Sequence, residues 1–349
     1  MTMFRSLSRR RFGMLAGAAA LAPALRAIPA GAQTPAATPT VDIFADVPTT
    51  PGVVSTPFGD IAVPEHPQRI VTLTDGSLDA VLALGVQPVG ATAASNGESV
   101  AAYLVDTASA DITLVGGWGE LDIEAIVALS PDLILSDRYI NYTDETLFDT
   151  LTAIAPVVAP AEIEVADANV LQQWEYEQLI WGHALGKVEE AKAAILALRE
   201  RAAAIQPTLG EHTGASVVVF RPQPEFAVMM AQAWITGVML TWSGLKGNDF
   251  TEELEPPHSG DTVGLERLNV LDADWFFAAA RNADMVTELA TYEQNPIFQT
   301  LSAYKSGQIA LVPGDLWSGA TGVLAGHAML DDIVRIVVDG DYSDTSLAG

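Results

Sequence analysis

One segment of the chain occurs twice, and this repeat constrains the fold more than any other feature. The copies span residues 121–135 and 264–277. A glutamate, a leucine and an aspartate coincide, as Glu124, Leu129 and Asp132 and as Glu266, Leu271 and Asp274. Each copy ends in an apolar run, a pattern typical of a short helix, a turn and a buried strand. The repeat predicts two similar α/β lobes with a ligand cleft between them. The alternative is a chance likeness between two ordinary αβ units.

The N-terminal segment has the features of an export signal. Consecutive arginines at residues 9–11 precede an apolar stretch over 13–25, and small residues at 30–32 offer a cleavage site. This pattern predicts a twin-arginine signal peptide over 1–32 and a periplasmic or extracellular location. An uncleaved anchor is the alternative. Residues 33–52 are rich in Pro, Thr and Ala, which predicts a tether.

The charge and the absence of cysteine exclude several classes of function. Residues 1–32 hold five arginines and no acids, so the remainder carries 12 basic and 44 acidic residues, a net charge of −32. Such a surface repels nucleic acid and anionic lipid, so we expect no nucleic-acid partner. Zero cysteines exclude disulfides, thiolate metal sites, a cysteine nucleophile and a lipid-modified N-terminal cysteine.

The remaining pattern predicts how the lobes are joined. Strands alternate with helices over 53–168, which indicates a mainly parallel sheet. Residues 169–206 are helical in pattern, and Pro207 ends them. We expect one long helix there, with a break near Gly186 left open because glycine weakens a helix. Residues 207–349 form the second lobe.

Three stretches of sequence resemble a known family. They are residues 61–90, then Trp118 with Glu124 and 131–134, and finally residues 295–317. Their order and content are similar to the solute-binding proteins of ferric-siderophore, haem and cobalamin ABC importers. The resemblance implies a class III periplasmic-binding-protein fold, with two Rossmann-like lobes joined by a single interdomain helix. It also implies a membrane permease and an ATPase as partners, a monomeric receptor, no covalently bound cofactor and no enzymatic activity.

The resemblance gives Glu124 a role in docking. An acid at this place in the family projects from the lobe tip and meets an arginine of the permease. The helix dipole also favours an acid at a helix start. In the second lobe the corresponding position is Thr241, before Gly244, which departs from the family pattern, and Glu252 or Glu253 is the alternative docking acid there.

Ligands of doubly wound sheets sit at the carboxyl ends of the strands, and this rule selects the candidate ligand residues. They follow the predicted strands and are Thr74, Asp75, Trp118, Arg138, Tyr139, Arg221, Arg281 and Trp317. An arginine fork suits carboxylate, hydroxamate or catecholate oxygens, and tryptophan stacks on flat ligands. We therefore expect a ferric siderophore as ligand, with cobalamin or haem as alternatives. Each arginine alternatively pairs with an acid of this surface.

Catalytic and metal-binding motifs are missing from the sequence. It contains no GxGxxG, GxxxxGK[ST], GxSxG or HExxH, and its five histidines share no metal-ligand spacing. We therefore expect neither a metal site nor catalysis. A secreted hydrolase is the remaining alternative, because residues 258–261 (His-Ser-Gly-Asp) lie in a predicted loop, where such residues more often form a turn.

Overall fold

Strands and helices alternate through most of the chain. The computed structural model describes residues 43–44, 52–94, 99–117, 119–140, 144, 146–165, 170–230, 234–252 and 262–342. The strands are β1 (Val53–Thr56), β2 (Gly59–Ala62), β3 (Ile70–Thr72), β4 (Gly90–Ala93), β5 (Thr113–Gly117), β6 (Glu120–Leu121), β7 (Leu133–Leu135), β8 (Val157–Val158), β9 (Val217–Gln223), β10 (Phe226–Met229), β11 (Thr262–Gly264), β12 (Trp275–Ala280) and β13 (Ile309–Pro313). The α-helices are α1 (Asp75–Ala83), α2 (Ile123–Leu129), α3 (Leu147–Thr152), α4 (Gln173–Ala184), α5 (Val188–Ile205), α6 (Ile235–Trp242), α7 (Asp249–Glu252), α8 (Ala283–Tyr292), α9 (Ser302–Ser306), α10 (Gly314–Gly319) and α11 (Val323–Ile333).

Two large sheets define two lobes. The first lobe contains a six-stranded sheet in the order β6-β5-β4-β3-β7-β8, parallel except for β6. The second lobe contains a five-stranded sheet in the order β11-β10-β9-β12-β13, in which β9, β12 and β13 are parallel. In both sheets the first parallel strand of the lobe, β3 or β9, lies inside the sheet. Because neighbouring parallel strands run in the same direction, their carboxyl ends form one edge of the sheet.

The repeat builds the same junction in both lobes. Asp132 accepts hydrogen bonds from the backbone N–H groups of Gln68 and Arg69 at 2.7 and 2.9 Å, just before β3 begins. Asp274 accepts one from the N–H of Ser216 at 2.8 Å, just before β9 begins. Each aspartate thus ties its own strand, β7 or β12, to the neighbouring parallel strand. The copies differ in the preceding helix, which is α-helical in the first and a 3-10 helix in the second.

The segment over 169–206 forms two helices instead of one, with the break at Gly186 that the sequence left open. Helix α4 ends at Ala184, Gly186 adopts a left-handed φ of 67°, and α5 begins at Val188. The two helices fold back on each other and are joined by an ion pair, in which Arg199 of α5 donates to Glu175 of α4 at 2.6 and 2.5 Å. A left-handed residue ends a helix cheaply only when it is glycine. The longer of the two helices is α5, about 27 Å at ~1.5 Å per residue.

The helical hairpin is buried on both sides. Trp181 and Ile180 of α4 belong to the core of the first lobe, against α1. Trp174 and Leu179 of the same helix belong to the core of the second lobe, together with the buried stripe of α5. A helix that contributes to both cores holds the lobes together through apolar burial.

Several sequence predictions fall outside the residues that the structure describes. They include the signal peptide over 1–32, most of the tether over 33–52, Trp118 and the loop over 258–261. The lobe boundaries at 53–168 and 207–349 stay predictions, and both sheets fall within them. Within the described part of the chain, no helix is long and apolar enough to cross a membrane.

Candidate ligand-binding cleft

The first strand end of the first lobe carries Thr74 and Asp75. Thr74 is the N-cap of α1: its hydroxyl accepts from the N–H of Ser77 at 3.1 Å, so its side chain is already used by the helix. Asp75 is the first residue of α1. Burial raises its pKa to about 6, Asp315 raises it further, and Arg281 opposes the shift. Because Asp315 and Arg281 belong to the second lobe, Asp75 faces that lobe.

Arg138 and Tyr139 follow β7, which lies beside β3. Arg138 donates to Glu177 Oε1 of α4 at 2.9 Å and to the Tyr139 hydroxyl at 2.8 Å. Its guanidinium also lies 4.3 Å from the centroid of the Tyr139 ring and 3.9 Å from Glu162. Most of the arginine fork is therefore held by the protein itself.

Glu177, the partner of Arg138, is a buried acid. Only 7% of its side chain is exposed, and its Oε1 also accepts from Gln173 at 3.0 Å. Burial raises the pKa of Glu177 to about 7, although Gln173 and Arg138 oppose the shift. A buried carboxylate of this kind depends on its cationic partner. Arg138 thus stabilises a buried charge in α4.

Arg221 is different, because the protein leaves its charge unmatched. It lies in β9 opposite Val228 of β10, one residue beyond the Phe220–Ala278 pair where β9 stops pairing with β12. Its side chain is half-buried, and no ion pair joins its guanidinium to an acid among the described residues, whereas Arg138 and Arg281 each have at least one. The buried Nε atoms of all three arginines lack a hydrogen-bond partner there. Burial and the nearby Arg281 both lower the pKa of Arg221. An unmatched, partly buried guanidinium is a strong site for an anion.

Arg281 follows β12, and its guanidinium contacts two groups of the second lobe. Its Nη2 donates to the Ser318 carbonyl at 2.9 Å, and its Nε lies 3.6 Å from Asp315 Oδ1. Both partners belong to α10, which follows β13. A side chain at Gly319 would meet the guanidinium, since a Cβ there would lie 2.8 Å from Arg281 Nη2. Helix α10 therefore positions Arg281 beside Arg221 and opposite Asp75.

The prediction for Trp317 is corrected by the structure. Trp317 is fully buried in α10, with its ring packed edge-on at 5.0 Å against Phe277. Its indole Nε1 donates to Asp332 at 2.8 Å, so its polar atom is also satisfied inside the lobe. It packs in the core because α10 begins directly after β13 and turns this side chain inward. The position of α10 that faces the cleft is Asp315.

Glu124 is not among the residues that meet in the cleft. It is exposed in the first turn of α2, next to the N-cap Asp122, whose carboxylate accepts from the N–H of Ala125 at 2.9 Å. Thr241 is exposed near the end of α6, and its hydroxyl donates to the Gly237 carbonyl. Glu124 is thus an exposed acid of the first lobe, and Thr241 is an exposed neutral residue of the second.

The cleft therefore joins residues of both lobes: Asp75 from the first, and Arg221, Arg281 and Asp315 from the second. Two arginines near one another with one unmatched charge favour an anionic ligand. Sequence analysis missed Asp315 and Glu177. No group of three or more His, Cys, Asp or Glu residues that could hold a metal ion occurs in the described parts of the chain.

Comparison with protein families gives one match. The model described as "Periplasmic binding protein" matches residues 70–316. The chain belongs to this family. The match covers both sheets, both copies of the repeat and every described cleft residue. The family assignment confirms the resemblance found in the sequence: this periplasmic binding protein is a substrate-binding component of an ABC importer and not an enzyme.

Curated relatives cover most of this binding protein. It is 29% identical over 279 residues to the probable siderophore-binding lipoprotein YfiY of Bacillus subtilis, covering 78% of this chain and 82% of the relative. It is 28% identical to the achromobactin-binding periplasmic protein of Dickeya dadantii, covering 77% and 86%. It is also 28% identical to the Fe(3+) dicitrate-binding periplasmic protein FecB of Escherichia coli, covering 80% and 87%.

Solved structures share the fold. Staphylococcus aureus SirA complexed with staphyloferrin B superimposes with a TM-score of 0.66 at 22% identity, covering 81% of this chain and 97% of that one. The petrobactin-binding protein YclQ of Bacillus subtilis gives a TM-score of 0.66 at 18% identity, covering 84% and 99%. The class III fold predicted from the sequence is confirmed, apart from the broken helix at Gly186.

Proposed function

We propose that this binding protein captures an anionic ferric siderophore in the interlobe cleft, and that the recognised groups are carboxylates of the citrate type. The observation that carries the proposal is the unmatched guanidinium of Arg221 beside Arg281. The planar arginine fork matches a carboxylate in a bidentate geometry. Two relatives are named for Fe(3+) citrate or Fe(3+) dicitrate, which is ligand chemistry of this kind.

The large negative charge of the protein is compatible with an anionic ligand. Electrostatic screening acts over about 8 Å at physiological salt, so nearby arginines outweigh distant surface acids. Asp75 is the acid that faces Arg281 across the cleft, and its raised pKa makes it easier to neutralise when a second anion enters. Thr74 and Tyr139 complete the first-lobe side of the proposed site, where Arg138 holds Glu177 instead of offering its charge to the ligand.

The proposed pathway ends at a membrane permease and its ATPase. Glu124 is exposed on the first lobe, where it can meet a cationic residue of the permease.

We propose further that the protein is a monomer, and that the twin-arginine signal over 1–32 carries it to the periplasm or the cell exterior. Replacement of Arg9 and Arg10 by lysine then retains the precursor inside the cell, as fractionation and immunoblotting would show.

The ligand class is tested by isothermal titration calorimetry. Ferric citrate, a ferric hydroxamate, a ferric catecholate, cobalamin and haem are each titrated into the purified protein. Iron-free citrate is the matched control for ferric citrate. We expect saturable binding of ferric citrate and no comparable binding of iron-free citrate. Binding of cobalamin or haem alone would overturn the siderophore proposal, and binding of only the hydroxamate or catecholate would overturn the carboxylate class.

A further inference from the structure

Helix α11 of the second lobe begins without a side-chain cap of its own. Its N-cap position is Gly322, which has no side chain to offer. The N–H groups of Leu324 and Ala325 in the first turn instead donate to the two carboxylate oxygens of Asp79, at 3.0 and 2.8 Å. Asp79 belongs to α1 of the first lobe. The start of α11 is thus capped by a residue of the other lobe, which satisfies donors that a helix leaves unpaired.

The contact between α1 and the start of α11 is too close for a side chain at Gly322 and tight at Gly76. A Cβ at Gly322 would lie 2.3 Å from Asp79 Cγ, and Gly322 also has a φ of 129°. A Cβ at Gly76, one turn earlier in α1, would lie 3.2 Å from Thr321 Oγ1. Asp79 itself is completely buried. The two elements therefore have one mutual arrangement, fixed by a hydrogen-bonded carboxylate.

This contact lies next to the cleft on both sides. On α1, Asp79 is one helical turn after Asp75, and residues four apart lie on the same helix face. On the second lobe, only residues 320–322 separate α11 from α10, and α10 holds Arg281 through Asp315 and the Ser318 carbonyl. A shift at the Asp79 contact would therefore move Asp75 relative to Arg281.

We propose that Asp79 is a positioning residue of the ligand-binding cleft: by capping α11 from the other lobe, it fixes where Asp75 and Arg281 face each other. The proposal concerns lobe geometry, and only its ligand readout rests on the proposed function. A cap that serves folding alone would stabilise α11 without setting the distance between the lobes.

The energetics of Asp79 agree with a positioning role. Burial raises its pKa to about 7, while the N–H groups of Val323, Leu324 and Ala325 oppose the shift and Asp75 adds to it. The buried hydroxyl of Tyr103, in the 3-10 helix Ala102–Leu104, faces the same carboxylate. Burying a carboxylate costs solvation, so an apolar contact would serve stability better. A carboxylate with two directed hydrogen bonds instead specifies one geometry.

The test measures the distance between the lobes without ligand. Because the chain has no cysteine, spin labels attach only at introduced positions. Ala153→Cys in the first lobe and Ala290→Cys in the second are both at exposed positions. Electron–electron double resonance is recorded for the labelled parent, Asp79→Ala and Asp79→Asn. Asp122→Ala is the matched control, since Asp122 is also a carboxylate cap but acts within one lobe.

We expect Asp79→Ala to shift or broaden the interlobe distance distribution, and Asp79→Asn, which keeps one acceptor oxygen, to do so less. Ferric citrate affinity should fall on the order of tenfold in Asp79→Ala, a typical coupling between linked sites. Asp122→Ala should change neither. Parental distances in both Asp79 variants would overturn the proposal, as would altered distances with parental affinity. If the parent itself binds no iron chelate, the proposed function fails and the distances still decide the role of Asp79.

Discussion

The two lobes place arginines at equivalent strand ends but treat their charges differently. In the first lobe, Arg138 follows β7 and is held by Glu177 at 2.9 Å. In the second lobe, no acid among the described residues forms an ion pair with Arg221, and Arg281 is held at 3.6 Å by Asp315. Position at a strand end therefore does not decide whether a charge is available to a ligand. The acids on the neighbouring helices decide it.

The difference arises from what packs against each sheet edge. Helix α4 carries Glu177 to the end of β7, and a buried carboxylate requires a cation. Near Arg221 the strand continues into an antiparallel pair with β10, and Arg281 is the charged group that shifts its pKa. The first-lobe arginine thus has a structural role, whereas the second-lobe pair retains capacity for an anion.

The largest expected effect on ligand affinity is that of Arg221→Ala. Each charge-assisted hydrogen bond to a ligand contributes roughly 1.5–3 kcal/mol. Loss of this arginine should weaken ferric citrate binding about tenfold to a hundredfold, at ~1.4 kcal/mol per factor of ten. Calorimetric titration measures the change. Arg201→Ala is the control, because Arg201 pairs with Asp331 on the surface instead of facing the cleft. Equal affinities for parent and Arg221→Ala would refute the comparison between the lobes.

Sequence analysis predicted most of the elements that build this comparison. Buried strands are short apolar runs, and such runs predict strands over 69–74, 132–136, 216–220, 275–279 and 309–312, close to the observed β3, β7, β9, β12 and β13. The carboxyl ends of parallel strands meet at one edge, which correctly selected Asp75, Arg221 and Arg281 as neighbours. Sequence alone did not show which arginine is neutralised, because Glu177 approaches Arg138 from a helix 39 residues away.

The open question of the break at Gly186 and the burial of Trp317 have local physical causes. The break stayed open because it depends on a left-handed φ, which a helical pattern of apolar residues does not reveal. Trp317 was expected at the cleft because it follows β13, but α10 begins at Gly314 and its helical period turns Trp317 into the core. The face of the helix on which a residue lies therefore predicts whether it reaches the cleft better than its distance from the strand end does.

A smaller effect on ligand affinity is expected for Asp75→Asn, because Asp75 places a negative charge near the second-lobe arginines. Its pKa is raised to about 6 in the free protein, and a bound anion raises it further. Ligand binding then takes up a proton, so affinity should fall as pH rises above about 6 and level off below it. Asp75→Asn should remove this dependence of affinity on pH, which is worth about 1 kcal/mol, or about fivefold in affinity, after solvent screening. Titrations at pH 5.5, 6.5 and 7.5 compare the two proteins, and parallel pH profiles would contradict the assignment.

Arg138→Ala should change affinity less and stability more. The variant leaves Glu177 buried without its cation, a change that costs roughly 3 kcal/mol in comparable buried pairs. Because the pKa of Glu177 is raised to about 7, the uncompensated charge exists mainly above that pH, and the loss should be greater at pH 8 than at pH 6. Urea unfolding at both pH values measures it.

The matched control for Arg138→Ala is the double variant with Glu177→Gln, which removes the buried charge together with its partner. We expect the double variant to recover much of the stability at pH 8, since the introduced amide carries no charge to compensate. A loss of ferric citrate affinity as large as that of Arg221→Ala would show that Arg138 also binds the ligand directly, and the contrast between the lobes would then be wrong.

The smallest effect on affinity is expected for Glu124→Ala, which tests whether the lobes also differ in docking. Glu124 is exposed on α2 and is not among the residues that meet in the cleft, so calorimetric affinity for ferric citrate should not change. Uptake of radiolabelled iron through the importer should fall, by at most about fivefold if the pair with the permease is worth up to about 1 kcal/mol.

The control is Glu266→Ala, because Glu266 occupies the same offset in the second copy of the repeat and is also exposed. Since the sequence resemblance implies that Thr241 takes the place of a docking acid in the second lobe, Glu124 should carry the larger share of docking. Reduced uptake by Glu266→Ala with normal uptake by Glu124→Ala would reverse that order and place the docking acid on the second lobe.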